Sequence, residues 1–531
     1  MHDLRRRTVI VGARVVDGSG QPGVYRDVFI DGGRIERVDP PSETHPGWDV
    51  LDATRRVVSP GFIDVHSHAD NAPFLDGPDT TKILQGVTTE VVGNCGLSLA
   101  PRVERTADIL AEYTGRLLPR VDWHGYSMRD FFEETDRRGY CANYAPLVGH
   151  GTLRTAVMGL AARAPSDAEL AEMGDLLEES LDSGCFGLST GLIYPPGMFA
   201  DTEELIALAR RLRSGTLYAT HMRNEGAAVV SSVQEAICIG ENAGVPIQIS
   251  HHKAAGRQNW GKTHQTLTLI REARARGVRV SQDMYPYTAS STLLTALLPP
   301  SFQDLSEAEL CSRLKQEETI LALERALASE DATWENFVAG CGWEGILIAS
   351  TASHAWEGQT IADIANQLKM PPVRALVQVL LSERLRATMI VFSMAEDDLV
   401  TVLRDERTMI GSDGLPPGLG GKPHPRLFGT FPQVIARFVR EVPVLSLEEA
   451  VHKMTWLPAQ TFSIPERGLV APGYVADLVA FDPECVRPVG DYRDPVHPPD
   501  GIDWVMQSGE IVVRSTSYVA PRRGVRLQPS Q

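Results

Sequence analysis

The amino-acid sequence predicts an α/β protein in which a (β/α)8 TIM-like barrel stands beside a small β-sandwich domain built from both termini, with an inserted segment as a candidate lid. Three observations lead to this fold class. Apolar strand candidates alternate with amphipathic helices through the middle of the chain, as in a parallel sheet covered by helices. Short alternating strands occupy both ends. A charged helical stretch interrupts the alternation once.

The bulk composition sets the size of the core and the class of partner. The chain has 531 residues, of which 43% are hydrophobic, so it can bury a large core and exceeds the usual size of one compact domain. Its formal net charge of -17 argues against nucleic acid and anionic membrane surfaces as partners. No stretch reaches the roughly 18 apolar residues of a membrane span, and we predict a cytoplasmic protein. The sequence leaves the oligomeric state open.

The two ends of the chain predict one small β domain. Residues 1–59 alternate apolar and polar positions between Gly and Pro turns, as in Val28-Phe29-Ile30-Asp31, and predict a small antiparallel sheet. Similar material returns in residues 465–531, for example Leu478-Val479-Ala480-Phe481. Because both ends differ from the middle, we expect them to complete one domain together.

Residues 60–464 predict the barrel. The strand candidates start near Gly61, Thr88, Cys141, Phe186, Thr216, Pro246, Val278 and Met409. The clearest helix runs from Ser166 to Ser183, and its Ser166-x-x-Glu169 opening fits a capping box. The interruption at about 288–345 contains a charged helical segment, Leu305 to Glu330. We interpret it as an insertion that is either a lid over the barrel mouth or a peripheral helical decoration.

The seven cysteines predict neither a disulfide framework nor a zinc knuckle. They are scattered, odd in number and never arranged as Cys-x-x-Cys. We interpret six of them as small buried hydrophobic residues. Cys95 is the exception, because it follows a predicted strand.

The residues that end the predicted strands form a candidate metal site. His66 and His68 are two positions apart, so on a strand their imidazoles point the same way about 6 to 7 Å apart. Further candidates follow other strands of the predicted barrel, where the active sites of such barrels lie. The whole candidate set is His66, His68, Cys95, His221, His251 and Asp413. Imidazole and thiolate suit zinc, and a carboxylate can share the ion and act as a base. We expect the neighbouring His252 to point away.

These residues belong to longer motifs that resemble a known family. The motifs are Gly61-Phe62-Ile63-Asp64-Val65-His66-Ser67-His68, Gly93-Asn94-Cys95-Gly96, Gly191-Leu192-Ile193-Tyr194-Pro195-Pro196, Thr220-His221-Met222-Arg223-Asn224-Glu225, Ile249-Ser250-His251-His252-Lys253 and Asp283-Met284-Tyr285-Pro286-Tyr287. The chain resembles the amidohydrolase superfamily and, within it, the D-aminoacylases or N-acyl-D-amino-acid deacylases, from about Val9 to Val513. Many superfamily members carry a carbamylated lysine at the end of strand four. No lysine lies there, and in the D-aminoacylases the cysteine after strand two, here Cys95, takes its place.

The resemblance implies a cofactor and a reaction. By resemblance, Cys95, His221 and His251 hold one zinc tightly, and His66, His68 and Asp413 form a second, weak site. The implied reaction is hydrolysis of the amide bond of a small-molecule N-acyl-D-amino acid, which gives a carboxylate and a free D-amino acid. We expect metal-activated water to attack the acyl carbonyl and Asp413 to carry its proton to the departing amine.

Five further residues are candidates for substrate binding. Lys253 and Arg223 lie next to ligand histidines, and either could bind the substrate carboxylate. By resemblance, Tyr285 and Ser291 also contact this carboxylate and Tyr194 faces the carbonyl. The segment that contains Lys422 and Arg426 either reaches the barrel mouth or forms an exposed loop.

Two other functions stay open on the sequence alone. A hydantoinase or dihydroorotase cleaves a cyclic amide, and an isoaspartyl dipeptidase cleaves a dipeptide, with a similar set of histidines. These relatives generally use the bridging lysine, so Cys95 argues against them. A non-catalytic scaffold on the same fold should lack part of the candidate set, whereas all six positions are filled here.

Overall fold

The computed structural model describes residues 7–115, 117–119, 121–329 and 334–530. Parts of four predictions lie outside the described residues. They are residues 1–6 of segment 1–59, residues 116 and 120 of the predicted barrel segment 60–464, residues 330–333 of the predicted insertion, which include Glu330, and the last residue of segment 465–531.

The described chain contains 23 strands. In chain order they are β1 (Arg7–Val11), β2 (Arg14–Val15), β3 (Val24–Tyr25), β4 (Asp27–Asp31), β5 (Arg34–Asp39), β6 (Asp49–Asp52), β7 (Val57–Pro60), β8 (Phe62–Asp64), β9 (Val87–Val92), β10 (Asn143–Pro146), β11 (Val148–Gly149), β12 (Gly187–Gly191), β13 (Leu217–His221), β14 (Ile247–Ile249), β15 (Val280–Met284), β16 (Ser290–Leu293), β17 (Ile346–Thr351), β18 (Ala387–Val391), β19 (Thr408–Ile410), β20 (Leu478–Phe481), β21 (Ile502–Gln507), β22 (Glu510–Arg514) and β23 (Ser517–Tyr518).

The described chain also contains 16 α-helices. They are α1 (Ala107–Thr114), α2 (Met128–Arg138), α3 (His150–Met158), α4 (Asp167–Asp182), α5 (Thr202–Ala209), α6 (Val229–Ala243), α7 (Thr263–Ala275), α8 (Glu307–Leu314), α9 (Glu317–Leu327), α10 (Phe337–Cys341), α11 (Ile361–Leu368), α12 (Pro372–Ser382), α13 (Glu396–Leu403), α14 (Arg426–Gln433), α15 (Leu447–Met454) and α16 (Trp456–Thr461). The helix predicted from Ser166 to Ser183 is confirmed as α4, and its capping box joins Ser166 to Glu169.

The middle of the chain forms two parallel sheets with the orders β10-β9-β8 and β11-β12-β13-β14-β15-β19. Each of the eight predicted strand positions carries a strand. Only Leu147 separates β10 from β11, so the chain passes directly from one sheet into the other. A parallel bridge between Ser67 and Gly414 joins the segments that follow β8 and β19. The carboxyl ends of these strands therefore meet on one side of the molecule.

The parallel strands are buried on both faces, which explains their continuous apolar character. β9, β12, β13 and β15 are buried at every position. A large hydrophobic cluster packs the helices against the sheets, with Leu177 of α4 and Ile270 of α7 among its members. The helices thus hold the strand ends in fixed positions.

The terminal segments form two further sheets, with the orders β5-β4-β1-β6 and β23-β22-β21-β20-β7-β2-β3. The second sheet contains strands from both ends of the chain, and one hydrophobic cluster contains residues of both sheets. The prediction of a purely antiparallel N-terminal sheet is wrong in part. β1 pairs with β6 and β2 pairs with β7 in parallel, so these two pairs differ from the antiparallel prediction.

The inserted segment extends beyond the predicted range 288–345. Its antiparallel sheet has the order β16-β18-β17, so it continues to Val391. Helices α8 and α9 lie within the charged segment that the sequence predicts as helical, and they share a separate hydrophobic cluster with this sheet. The insertion is therefore a folded unit with a core of its own.

Within the described ranges, no helix is long and apolar enough to span a membrane. The described part of the chain contains no disulfide bond. Cys238 and Cys485 are exposed and Cys311 is half-buried, so the expectation of six buried cysteines is wrong for these three.

Candidate metal centre and active site

Six metal-ligand candidates lie together at the carboxyl ends of the parallel strands. Each either ends a strand or follows one by two to four residues, so the fold of the sheet brings them to one place. They are His66 and His68 after β8, Cys95 after β9, His221 at the end of β13, His251 after β14 and Asp413 after β19. Their donor atoms form two groups that share Cys95, and within each group the atoms lie within 4.8 Å of one another.

Cys95, His221 and His251 form the first group, and its geometry fits zinc. The Cys95 Sγ lies 3.7 Å from His221 Nδ1 and 3.5 Å from His251 Nε2. Typical zinc–sulfur and zinc–nitrogen bonds place such atoms about 3.5 Å apart at two corners of a tetrahedron. A soft thiolate with two imidazoles is also a donor set that zinc favours. Three protein ligands are also the number that catalytic zinc sites use.

His66, His68 and Asp413 form the second group together with Cys95. The Asp413 Oδ1 lies 3.2 Å from His68 Nε2 and 3.5 Å from His66 Nε2. The His66 Nε2 lies 3.3 Å from Cys95 Sγ. Cys95 therefore stands between the two groups, where a ligand can serve either of them.

The backbone is strained at three of these residues. Cys95, His251 and Asp413 have φ angles of 53°, 34° and 48°, in the left-handed region that non-glycine residues rarely adopt. Each of the three follows a strand, and the left-handed turn directs its side chain toward the other ligands. The surrounding packing maintains a backbone that the sequence alone would not favour.

The electrostatics of the site favour the thiolate form of Cys95. Burial alone would raise the pKa of this thiol, but the charge of His66 and hydrogen bonds from His221 and His251 hold it well below its ordinary value. In contrast, burial raises the pKa of Cys141, which lies outside the site, to about 11. The thiolate is the form that binds a metal.

Buried carboxylates hold the ligands in place. The Asp283 Oδ1 accepts a hydrogen bond from the His251 backbone N–H at 2.9 Å and lies 3.4 Å from His66 Nδ1. Asp64 accepts hydrogen bonds from the backbone N–H groups of His66, at 3.1 Å, and Ser412, at 2.8 Å. Such outer contacts fix the orientation of metal-binding imidazoles.

A cavity that is open to solvent lies beside the ligands. Lys253, Tyr194, Tyr285 and Ser291 line it, so the structure brings four of the five predicted substrate residues to the metal centre. The Ser291 Oγ is buried without a hydrogen-bond partner in the described part of the chain. An unsatisfied hydroxyl in a cavity wall suits a ligand that accepts a hydrogen bond.

The structure does not bring Arg223 into this cavity. Its guanidinium binds the carboxylate of Glu235, at 2.8 Å, and the backbone carbonyls of Met198 and Ala200. The prediction that Arg223 contacts substrate is corrected for this reason: the chain turns after His221 and carries the arginine toward α6.

The sequence left open whether Arg426 reaches the barrel mouth or lies in an exposed loop, and it gave no indication of a contact with Asp413. Arg426 is fully buried at the start of α14. Its Nη1 pairs with Asp413 Oδ2 at 2.9 Å, and its Nη2 donates to the Ser291 carbonyl at 3.0 Å. Burial would raise the pKa of Asp413, but Arg426 outweighs this effect and, with His66, holds it well below its usual value. No local sequence signal distinguishes this arginine from a surface one.

With the site described, comparison with known proteins identifies the family. A sequence model of the amidohydrolase family matches residues 49–513. The chain belongs to the amidohydrolase family. It is 37% identical over 522 residues to a D-aminoacylase of Alcaligenes xylosoxydans xylosoxydans, with 97% of this chain and 96% of that protein covered. The resemblance to the D-aminoacylases is thus confirmed.

Two solved structures are similar to this amidohydrolase over nearly their whole length. One is an N-acyl-D-glutamate deacylase of Bordetella bronchiseptica in complex with zinc and a phosphonate inhibitor that mimics the tetrahedral intermediate. It has a TM-score of 0.83, 34% identity, and coverage of 99% and 100%. The other is a D-aminoacylase with a binuclear metal centre, described by one-metal activation and second-metal attenuation. It has a TM-score of 0.81, 36% identity, and coverage of 98% and 99%.

Proposed function

We propose that this amidohydrolase hydrolyses the amide bond of N-acyl-D-amino acids with one zinc held by Cys95, His221 and His251. The observation that carries the proposal is the thiolate with two imidazoles, at zinc-like spacing, in the wall of a cavity that also holds a buried lysine. His66, His68 and Asp413 are proposed as the second, weaker metal site. The names of the relatives support both the reaction and the metal.

Zinc in this set would act as a Lewis acid that polarises the acyl carbonyl and activates water. Asp413 acts as the base. Its carboxylate takes a proton from the attacking water and gives it to the departing amine nitrogen. The ion pair with Arg426 keeps Asp413 ionised before the reaction, and the contact with His68 fixes the position of its Oδ1. The products are a carboxylate and a free D-amino acid.

The substrate carboxylate binds at the side of the cavity that carries Lys253 and Ser291. The Lys253 ammonium lies in the wall, 5.8 Å from the centre of the Tyr285 ring. The Ser291 hydroxyl is available as a donor, since it has no other partner among the described residues. A buried ammonium and a hydroxyl together give charge-assisted recognition of a carboxylate. Tyr194 also lines the cavity, with its ring centre 5.1 Å from that of His221.

The remaining lining of the cavity favours an apolar amino-acid side chain. It includes Leu97, Ile193, Leu293, Phe337 and Leu415. Ser291 and Leu293 are two residues apart on β16 and so share a face, which places Leu293 next to the carboxylate-binding hydroxyl. Lys253 is the one lysine or arginine among the described lining residues. An acidic side chain would therefore find no second lysine or arginine there, whereas an apolar one would cover exposed hydrophobic surface.

The finer architecture that we propose is an eight-stranded (β/α)8 barrel with a β-sandwich beside it. The bridge between Ser67 and Gly414 and the passage through Leu147 support a closed ring of eight strands made from the two parallel sheets. A hydrophobic cluster draws side chains from both parallel sheets, as the inside of a closed barrel requires. The two smaller sheets pack through a shared cluster, as in a sandwich.

A substrate panel tests this function. The zinc-loaded protein is incubated with N-acetyl-D-leucine, N-acetyl-D-glutamate and N-acetyl-D-aspartate, with a hydantoin and dihydroorotate, and with an isoaspartyl dipeptide. We expect release of free amine from the linear N-acetyl compounds, fastest for leucine. Ring opening or dipeptide cleavage without deacylation would replace the proposed reaction with one of the two alternatives.

A further inference from the structure

Glu225 lies inside the site, yet the proposed reaction gives it no role. Its side chain is 4% exposed and lines the cavity. Its Oε1 lies 2.6 Å from Lys253 Nζ and 2.8 Å from His251 Nδ1. One carboxylate oxygen therefore contacts a proposed metal ligand and the proposed carboxylate-binding group at the same time.

The contact with His251 decides which imidazole nitrogen can bind a metal. The His251 Nε2 faces Cys95, so this nitrogen must keep its lone pair and the proton must sit on Nδ1. A carboxylate at Nδ1 accepts that proton in a hydrogen bond and stabilises this tautomer. Glu225 supplies the carboxylate.

Lys253 opposes this arrangement. Its Nζ also lies 2.8 Å from His251 Nδ1. An ammonium is a pure donor, so a lysine that donated to Nδ1 would move the imidazole proton to Nε2 and block the metal-binding nitrogen. Glu225 prevents this because its Oε1 accepts from the lysine and from Nδ1–H together.

The backbone of Glu225 is fixed from two sides. Its N–H donates to the Glu335 Oε2 at 2.7 Å, and its carbonyl accepts from the Ala255 N–H at 2.7 Å. Glu335 belongs to the inserted segment and Ala255 follows β14. The backbone that carries the Glu225 carboxylate is thus held by both the loop after β14 and the inserted segment.

We propose that Glu225 is a positioning residue that keeps His251 in its metal-binding tautomer and holds Lys253 in place for the substrate carboxylate. The inference about the lysine rests on the proposed function. The inference about the histidine requires only that a metal binds at Cys95, His221 and His251. Loss of Glu225 should therefore weaken metal binding and carboxylate binding together.

The test measures two affinities in purified variants. Zinc affinity is measured by competition with a chromophoric chelator, and the affinity of the zinc-loaded protein for a free D-amino acid by calorimetry. Glu225→Gln removes the charge at nearly constant volume. Glu204→Gln is the matched control, because Glu204 is equally buried and also joins a histidine, His150 at 2.8 Å, to a cation, Arg154, outside the site.

We expect Glu225→Gln to weaken zinc binding by about 10- to 100-fold and to weaken amino-acid binding as well, while Glu204→Gln changes neither. Adding Lys253→Met to Glu225→Gln should restore part of the zinc affinity, since the competing donor is gone, and none of the amino-acid affinity. A merely structural glutamate would not give that recovery. Zinc affinity within threefold of the control would overturn the proposal.

A second variant covers the case in which Glu225→Gln does not fold. Glu225→Asp keeps the charge but withdraws the carboxylate by about one bond length, ~1.5 Å, so both affinities should fall by a smaller factor. Unchanged affinities in this variant would also overturn the proposal. If the parent protein releases no amine from N-acyl-D-amino acids, the proposed function fails, and the zinc measurements still decide the role of Glu225 toward His251.

Discussion

Replacing Cys95 by serine removes the sulfur donor of the proposed metal centre. The proposed tight site has three protein donors. A four-ligand structural zinc site binds with about 10 to 16 kcal/mol, or roughly 2.5 to 4 kcal/mol per ligand. A neutral hydroxyl replaces little of the thiolate contribution. We therefore expect Cys95→Ser to weaken zinc binding by about 10²- to 10³-fold, with a parallel loss of zinc-dependent activity.

The assay is chelator competition, with the zinc-induced rise in the unfolding temperature as an independent measure. Cys141→Ser is the matched control. Cys141 is also buried, but its pKa is raised to about 11, so it is a neutral thiol and its replacement should leave zinc affinity unchanged. Equal zinc affinity in the two variants would refute the assignment of Cys95 as a ligand.

Three other substitutions test separate parts of the account. Asp413→Asn should lower turnover by about 10²- to 10⁴-fold while the tight zinc remains, and normal turnover would remove Asp413 as the base. Lys253→Ala should raise KM by about 10- to 100-fold with zinc retained, because one charge-assisted hydrogen bond to the substrate is lost, and an unchanged KM would eliminate this contact. Burial, with the nearby Glu225, raises the pKa of Glu335 from 4.5 to about 7. The folded protein therefore binds this proton more tightly than the unfolded chain, and stability falls as pH rises from about 4.5 to 7, by up to about 3 kcal/mol. Glu335→Gln should remove that fall in denaturant titrations at pH 5 and pH 8, and a pH-independent difference between variant and parent would contradict this assignment.

The sequence predicts that the metal-ligand candidates lie close together, and this prediction depends on two general properties of parallel sheets. First, parallel strands place their carboxyl ends on one side of a sheet. Second, runs of apolar residues identify the strands in the sequence, and the histidine, cysteine and aspartate candidates lie at or just after the ends of these runs. His252 shows that even side-chain direction can be predicted next to a strand. It points away from the site and contacts Gln282 at 3.0 Å and Thr266 at 2.8 Å, as expected.

Other features depend on contacts that no local pattern encodes. Arg223 follows His221 closely, yet the turn after β13 directs it to Glu235, 12 residues further on. Arg426 lies in a segment rich in Gly and Pro that is typical of an exposed loop, but α14 begins there and buries it against Asp413. The insertion also extends further than predicted, because its sheet pairs β16 with β18 across about 100 residues.

The most direct test of the central claim is amine release from N-acetyl-D-leucine and N-acetyl-L-leucine as zinc is added back to the metal-free protein. Our prediction is hydrolysis of the D compound alone, with activity that rises to a maximum near one equivalent of zinc. Equal turnover of both enantiomers, or turnover of the D compound that does not depend on zinc, would contradict it.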